Sequence, residues 1–209
     1  MITMRSRLAV CWLLALLVLA FASVVAAGDG LVALQTGEAS CSDESGDIYV
    51  DCGNGTVTDN RTGLVWLADA NCYGQLDWYE AVEIVANLSD IPSGSAAATQ
   101  DCSLSDGSSP GEWRLPSLAE WEAMIDDALG LGGDPDCIAT PPTITNDSGT
   151  ACWVSGPTSF TGVQSLDYWS STTIIGNPMR AWEMGLDVGS DNNNDKTVPL
   201  YVWPVRGGQ

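Results

Sequence analysis

A chain of 209 residues with seven basic side chains, 27 acidic ones and no histidine carries a formal net charge of −20. Such a surface repels nucleic acid, anionic lipid and sulfated glycans, and it favours cations, neutral sugars or a basic protein partner. The missing histidine removes the commonest general base and a frequent zinc ligand.

Arg5 and Arg7 precede an apolar run over 8–27 that ends in Val25, Ala26 and Ala27. A charged start, an apolar centre and small terminal residues mark a cleaved secretory signal, expected over residues 1–27. An uncleaved anchor is the alternative, but the run is near the lower limit for a span and no stop-transfer cluster follows it. The mature chain keeps Arg61, Arg114, Arg180, Lys196 and Arg206 against all 27 acids, a net charge of −22. No later stretch is apolar enough to insert in a bilayer, and roughly 180 residues suit one domain. A secreted, periplasmic or cell-surface location is expected.

Loss of Cys11 with the signal leaves Cys41, Cys52, Cys72, Cys102, Cys137 and Cys152, an even set bound for an oxidising compartment. Three disulfides are expected, and fifteen pairings are open. Neighbour pairing, 41 with 52, 72 with 102 and 137 with 152, is favoured because each pair brackets one loop or helix.

Residues 28–50 are small, polar and acidic in their second half and read as a leader, with the domain at 51–208. A hairpin is expected from the runs 56–58 and 64–67 around the polar turn 59–63. Asp77 opens a helix with Glu80 three residues on as a capping box, ending near Ser89 and Asp90 before Pro92. A surface loop follows over 93–111. Ser117 caps a second helix with Glu120 as its partner, stopped at Gly130. Prolines 135, 141, 142 and 157 make 131–165 a long loop. Strands are expected at 168–174, 181–188 and 198–205, the last two separated by a polar turn at 189–196. The order hairpin, helix, helix, loop, strands gives an α+β fold class, with two helices, short antiparallel strands and long loops stapled by disulfides.

Four segments carry a resemblance: 51–66 (DCGNGTVTDNRTGLVW), 113–120 (WRLPSLAE), 168–172 (YWSST) and 202–208 (VWPVRGG). Together they are similar to the C-terminal domain family of the Legionella collagen-like adhesin (Lcl), over about residues 51–208. The WRLPSLAE segment also resembles a signature of formylglycine-generating enzymes, whose fold is related to C-type lectins. The resemblance implies a C-type-lectin-like scaffold with long loops on one face. It also implies sulfated glycosaminoglycan binding and trimerisation, the first of which the charge of −22 opposes.

Most of the eight mature tryptophans are expected in the core, and Trp153, alone in the long loop, is the candidate ligand contact. Arg114 and Arg206 are expected to pair with carboxylates. Asp191, Asn193 and Asp195 have the alternate oxygen spacing of a calcium loop, without the glycine and glutamate that complete one; a polar hairpin turn is the alternative. Every mature cysteine is accounted for in a disulfide, no serine lies in a nucleophile elbow, and the acids of the second helix read as a solvated face, so enzymatic activity is not expected. The expected role is surface recognition or adhesion towards a glycan or protein ligand, calcium being the one cofactor considered. A structural subunit of a surface assembly, polymerising through an edge strand as a homo-oligomer, and a formylglycine-type oxidase are the alternatives.

Overall fold

The computed structural model describes residue 41 and residues 45–90, 102–130 and 136–208, all within one compact unit, 35–209. The expected signal 1–27, most of the leader and parts of both long loops lie outside the described residues. In chain order the strands are β1 (Tyr49–Asp51), β2 (Thr56–Asp59), β3 (Leu64–Leu67), β4 (Gln75–Leu76), β5 (Asp167–Thr173), β6 (Arg180–Gly185), β7 (Ser190–Asp195), β8 (Leu200–Tyr201) and β9 (Val205–Gly207). The helices are α1 (Trp78–Ala86), α2 (Leu118–Gly130) and the short α3 (Asp136–Ala139), with one 3₁₀ turn at Trp153–Ser155. The chain is therefore mixed α+β. Among the described residues no helix is long and apolar enough to cross a membrane.

The expected hairpin is β2 and β3, with Val57 opposite Trp66. Gly55 sits before it at φ +85, and a Cβ there would strike the Ser103 carbonyl, so the turn needs glycine twice over. β9 joins antiparallel to β3, with Val65 opposite Arg206, completing a sheet of order β1-β2-β3-β9. The two ends of the domain are thus hydrogen-bonded neighbours. The sheet begins earlier than residue 51: Tyr49 and Val50 of the supposed leader pair with β2. Tyr49 is buried, with its ring edge-on to Phe160 at 4.9 Å.

The second sheet runs β4-β8-β5-β6-β7. Here two expectations fail. The polar run at 189–196 is a strand rather than a turn, because β7 pairs with β6 from Gly185 opposite Ser190 to Arg180 opposite Asp195. An Asn-Asp run has little strand preference of its own, and cross-strand pairing overrides it; the reversal falls at residues 186–189. The strand expected over 198–205 is divided into β8 and β9, with Pro204, which has no N–H for a ladder, between them.

Both helix starts behave as their sequences dictate. Asp77 accepts a hydrogen bond from the Glu80 amide at 2.9 Å. At α2 the box closes both ways: Glu120 Oε2 accepts from the Ser117 amide at 2.7 Å, and Ser117 Oγ accepts from the Glu120 amide at 3.3 Å. α1 is shorter than expected, ending at Ala86 with Asn87 as its cap.

The core is aromatic. Trp203 packs against Trp66, Trp121, Tyr168 and Phe160, with ring centroids between 4.9 and 5.8 Å. The indole N–H groups act as cross-links: Trp203 donates to the Leu67 carbonyl, Trp121 to Trp169, Trp169 to Leu76 and Trp78 to Ser170. Five of the eight tryptophans after residue 27 are fully buried, which is the structural majority the sequence implied.

The disulfides are Cys41–Cys52, Cys72–Cys102 and Cys137–Cys152, the neighbour pairing. Their sequence separations of 11, 30 and 15 rank their contributions by loop closure. Replacing both Cys72 and Cys102 by serine should therefore lower stability most, by roughly 3.5 kcal/mol, against roughly 3 kcal/mol for either other pair, in denaturant melts of the three double variants.

Candidate functional site

Trp153 stands immediately after Cys152, in a segment closed on itself. The Cys137–Cys152 bridge, the Thr145 to Cys152 bridge pairing and the Trp153 amide bond to the Ile144 carbonyl at 2.9 Å fix its backbone. Asn146 Oδ1 accepts from the Thr150 and Ala151 amides, and the Asp147 carboxylate takes the Ser159 amide and hydroxyl. The Trp153 ring is half-buried against the core and its Nε1 faces inward without a partner. Val154 is 53% exposed beside it, and Ile138 follows the other cysteine of the same bridge, also exposed. A small apolar surface is thus held on a hydrogen-bonded loop.

The arginines are committed internally. Arg114 grips Glu120 with both guanidinium nitrogens, at 2.7 and 2.6 Å, and also donates to the Gly207 carbonyl, tying α2 to β9. Burial alone would raise the Glu120 carboxyl; hydrogen bonds from Arg114 and Ser117 and the guanidinium charge bring it below the usual range. Arg206 lies 3.1 Å from Asp106, with both side chains almost wholly buried. Arg61 pairs with Asp59 and Asp127. Lys196 is buried too: its Nζ lies 3.6 Å from the Trp78 ring centre and donates to Thr173 Oγ1 at 2.8 Å. Burial holds that ammonium below the ordinary lysine value.

Asp191, Asn193 and Asp195 fall at alternate positions of β7, on one face of an extended strand. Neighbours on such a face have Cα atoms about 7 Å apart, and a calcium ion needs its oxygens within about 2.6 Å, so these side chains would have to lean together along the strand to share one. The strand is an edge, and its edge is closed. The outward Asn193 amide donates to Asn192 Oδ1 at 2.8 Å and the Asp195 amide to Asn194 Oδ1 at 3.0 Å, while Arg180 covers the Asn193 carbonyl at 2.6 Å. Free edge groups template association with another strand, and these side chains occupy them. Replacing Asn192 and Asn194 together by valine should reopen the edge and give self-association at high concentration, visible by size-exclusion chromatography.

Acidic residues outside the sequence candidates gather at the β6–β7 end of the second sheet. Glu183 is only 2% exposed, and its Oε2 has no hydrogen-bond partner. Burial, with the Asp167 charge adding to it, raises the Glu183 carboxyl; burial and then the Asp187 charge raise Asp167. A raised carboxylate is protonated in the folded chain over a window where the unfolded chain has lost the proton, so stability falls as pH rises through that window. Glu183→Gln should therefore melt higher than the parent at about pH 7 in chelator, the difference fading towards about pH 4. The signal was present in the sequence: in Arg-Ala-Trp-Glu-Met-Gly the acid shares its alternation with Ala181 and Gly185, a face with no other charge. Among the described residues no three His, Cys, Asp or Glu side chains already close on a point in metal-binding geometry.

No curated protein matches the sequence. One family model does, described as the Lcl C-terminal domain, and it matches residues 55–206, from the glycine that opens the β2–β3 hairpin to the arginine buried on β9. That span takes in all three helices, the second sheet and the first sheet apart from β1, and the chain belongs to the Lcl C-terminal domain family.

Proposed function

We propose that this protein is a secreted or cell-surface recognition module of C-type-lectin-like build, binding its ligand at the disulfide-closed loop 143–156. The family supports a surface, adhesin-related role. The paired ends of the domain, the two main helices and a second sheet bearing long loops support the lectin-like scaffold. The observation that carries the reading is the loop itself, which a disulfide, Asn146 and Asp147 hold in place with Val154 exposed beside the half-buried Trp153 indole. Such pre-ordering lowers the entropy cost of binding. With a mature charge of −22, the fitting ligands are neutral glycans or basic protein surfaces rather than sulfated polymers. A screen of the purified secreted chain on glycan and protein arrays, with and without calcium, tests this. Binding of neutral or basic ligands is expected, and exclusive binding of sulfated glycans would overturn the charge argument.

A further inference from the structure

We infer that the β6–β7 end of the second sheet is a calcium site, with Asp167, Asp187 and the Ser190 carbonyl as ligands and Glu183 beside them. Gly185 is its floor. A Cβ added to Gly185 would lie 3.0 Å from Asp167 Oδ1, 3.0 Å from Asp187 Oδ1 and 3.4 Å from the Ser190 carbonyl oxygen. Two carboxylate oxygens, from β5 and the 186–189 turn, thus lie beside the space that glycine leaves open, no more than twice 3.0 Å apart, and the carbonyl of Ser190, the cross-strand partner of Gly185, borders it. Register places Glu183 on the same face: Asp167 is opposite Gly185 and Trp169 opposite Glu183.

Glu183 supplies the independent sign. A carboxylate oxygen that is buried and without a hydrogen bond is costly unless a charge of opposite sign completes it. Among the described residues no ion pair reaches Asp167, Glu183 or Asp187; Arg180 is the nearest basic group to act on Glu183, and its guanidinium is bonded to the Asn193 carbonyl. A cation would neutralise the buried Glu183 and the half-buried Asp167 together, with the exposed Asp187 closing over it from the turn. The donors are oxygens only, since the chain has no histidine and its six described cysteines are in disulfides, which selects a hard cation over zinc or copper. Carboxylates mixed with a backbone carbonyl, in an open arrangement that leaves room for water, suit calcium better than magnesium, which demands a near-ideal octahedron.

The site is distinct from Asp191, Asn193 and Asp195, which alternate to the other face of β7. The test uses the full secreted chain stripped with chelator, titrated with calcium chloride by calorimetry and followed by thermal melting. A dissociation constant on the order of 10⁻⁴ to 10⁻³ M and a melting temperature that climbs with calcium are expected. Asp167→Asn with Asp187→Asn should abolish both effects. Gly185→Ala should abolish them too while keeping every charge, because its methyl occupies the space between the oxygens. Asp191→Asn with Asp195→Asn should leave both intact. The carboxamide variants remove repulsion and should melt at or above the parent in chelator, so loss of binding in them is not loss of fold. The proposal is overturned by no heat and no shift up to about 10 mM calcium, by binding that survives in the Asp167 and Asp187 variant, or by binding lost only with Asp191 and Asp195.

Discussion

Trp203→Ala should cost about 3 to 5 kcal/mol, a large share of the stability of a domain this size and enough to leave much of it unfolded near 37 °C. The ring touches four other aromatic rings contributed by β3, α2, β5 and the loop at 160, so its removal leaves a cavity bounded by elements that are themselves paired and cannot collapse inward. Trp203→Phe separates two contributions. It keeps an aromatic ring but strands the Leu67 carbonyl, which now accepts the indole N–H at 2.8 Å, and should cost an intermediate amount of about 2 kcal/mol. Equilibrium denaturation of the two variants, with the disulfides intact, measures both.

The second large effect is expected at Asp106 and Arg206. Asp106 Oδ1 accepts from the Ser108 amide at 3.0 Å and its hydroxyl at 2.7 Å; Ser108 Oγ in turn accepts the Trp113 indole N–H at 3.0 Å, and the Arg206 guanidinium lies 5.4 Å from the Trp113 ring centre. The loop after Cys102 is thereby locked to β9. Asp106→Ala removes the carboxylate that pairs with the buried Arg206 guanidinium and cuts the link to Ser108, and should cost about 3 to 5 kcal/mol. Removing the charge as well, in Asp106→Ala with Arg206→Met, should recover a good part of that loss, because part of the penalty is that of keeping a buried charge after its Asp106 carboxylate is gone. A double variant no more stable than the single one would show that the pair contributes through geometry alone.

How much of this was legible depended on how local the signal was. The two helix starts could be read because a cap and its partner lie three residues apart: the box closes both ways at Ser117, and Asp77 takes the Glu80 amide. The disulfides followed the same logic, each joining neighbours in sequence. β7 could not be read: Ser-Asp-Asn-Asn-Asn-Asp carries turn chemistry, and its extended form comes from β6, which supplies the ladder on one side and Arg180 on the other. The residues around Gly185 come from positions 167, 187 and 190, and only the β5–β6 register brings Asp167 to the face that Glu183 shares. Trp153 was legible as an outlier in a proline-rich loop, yet its half-buried ring and inward-facing Nε1 depend on the packing of that loop against the core.

Recognition by the 143–156 loop is put to the test by titrating Trp153→Ala against the tightest ligand found for the parent chain, with melting followed in parallel. Affinity is expected to fall at least tenfold, about 1.4 kcal/mol, with both disulfide pairing and the cooperative melt retained. Unchanged affinity in a well-folded Trp153→Ala variant would contradict the assignment and move the ligand elsewhere on the domain.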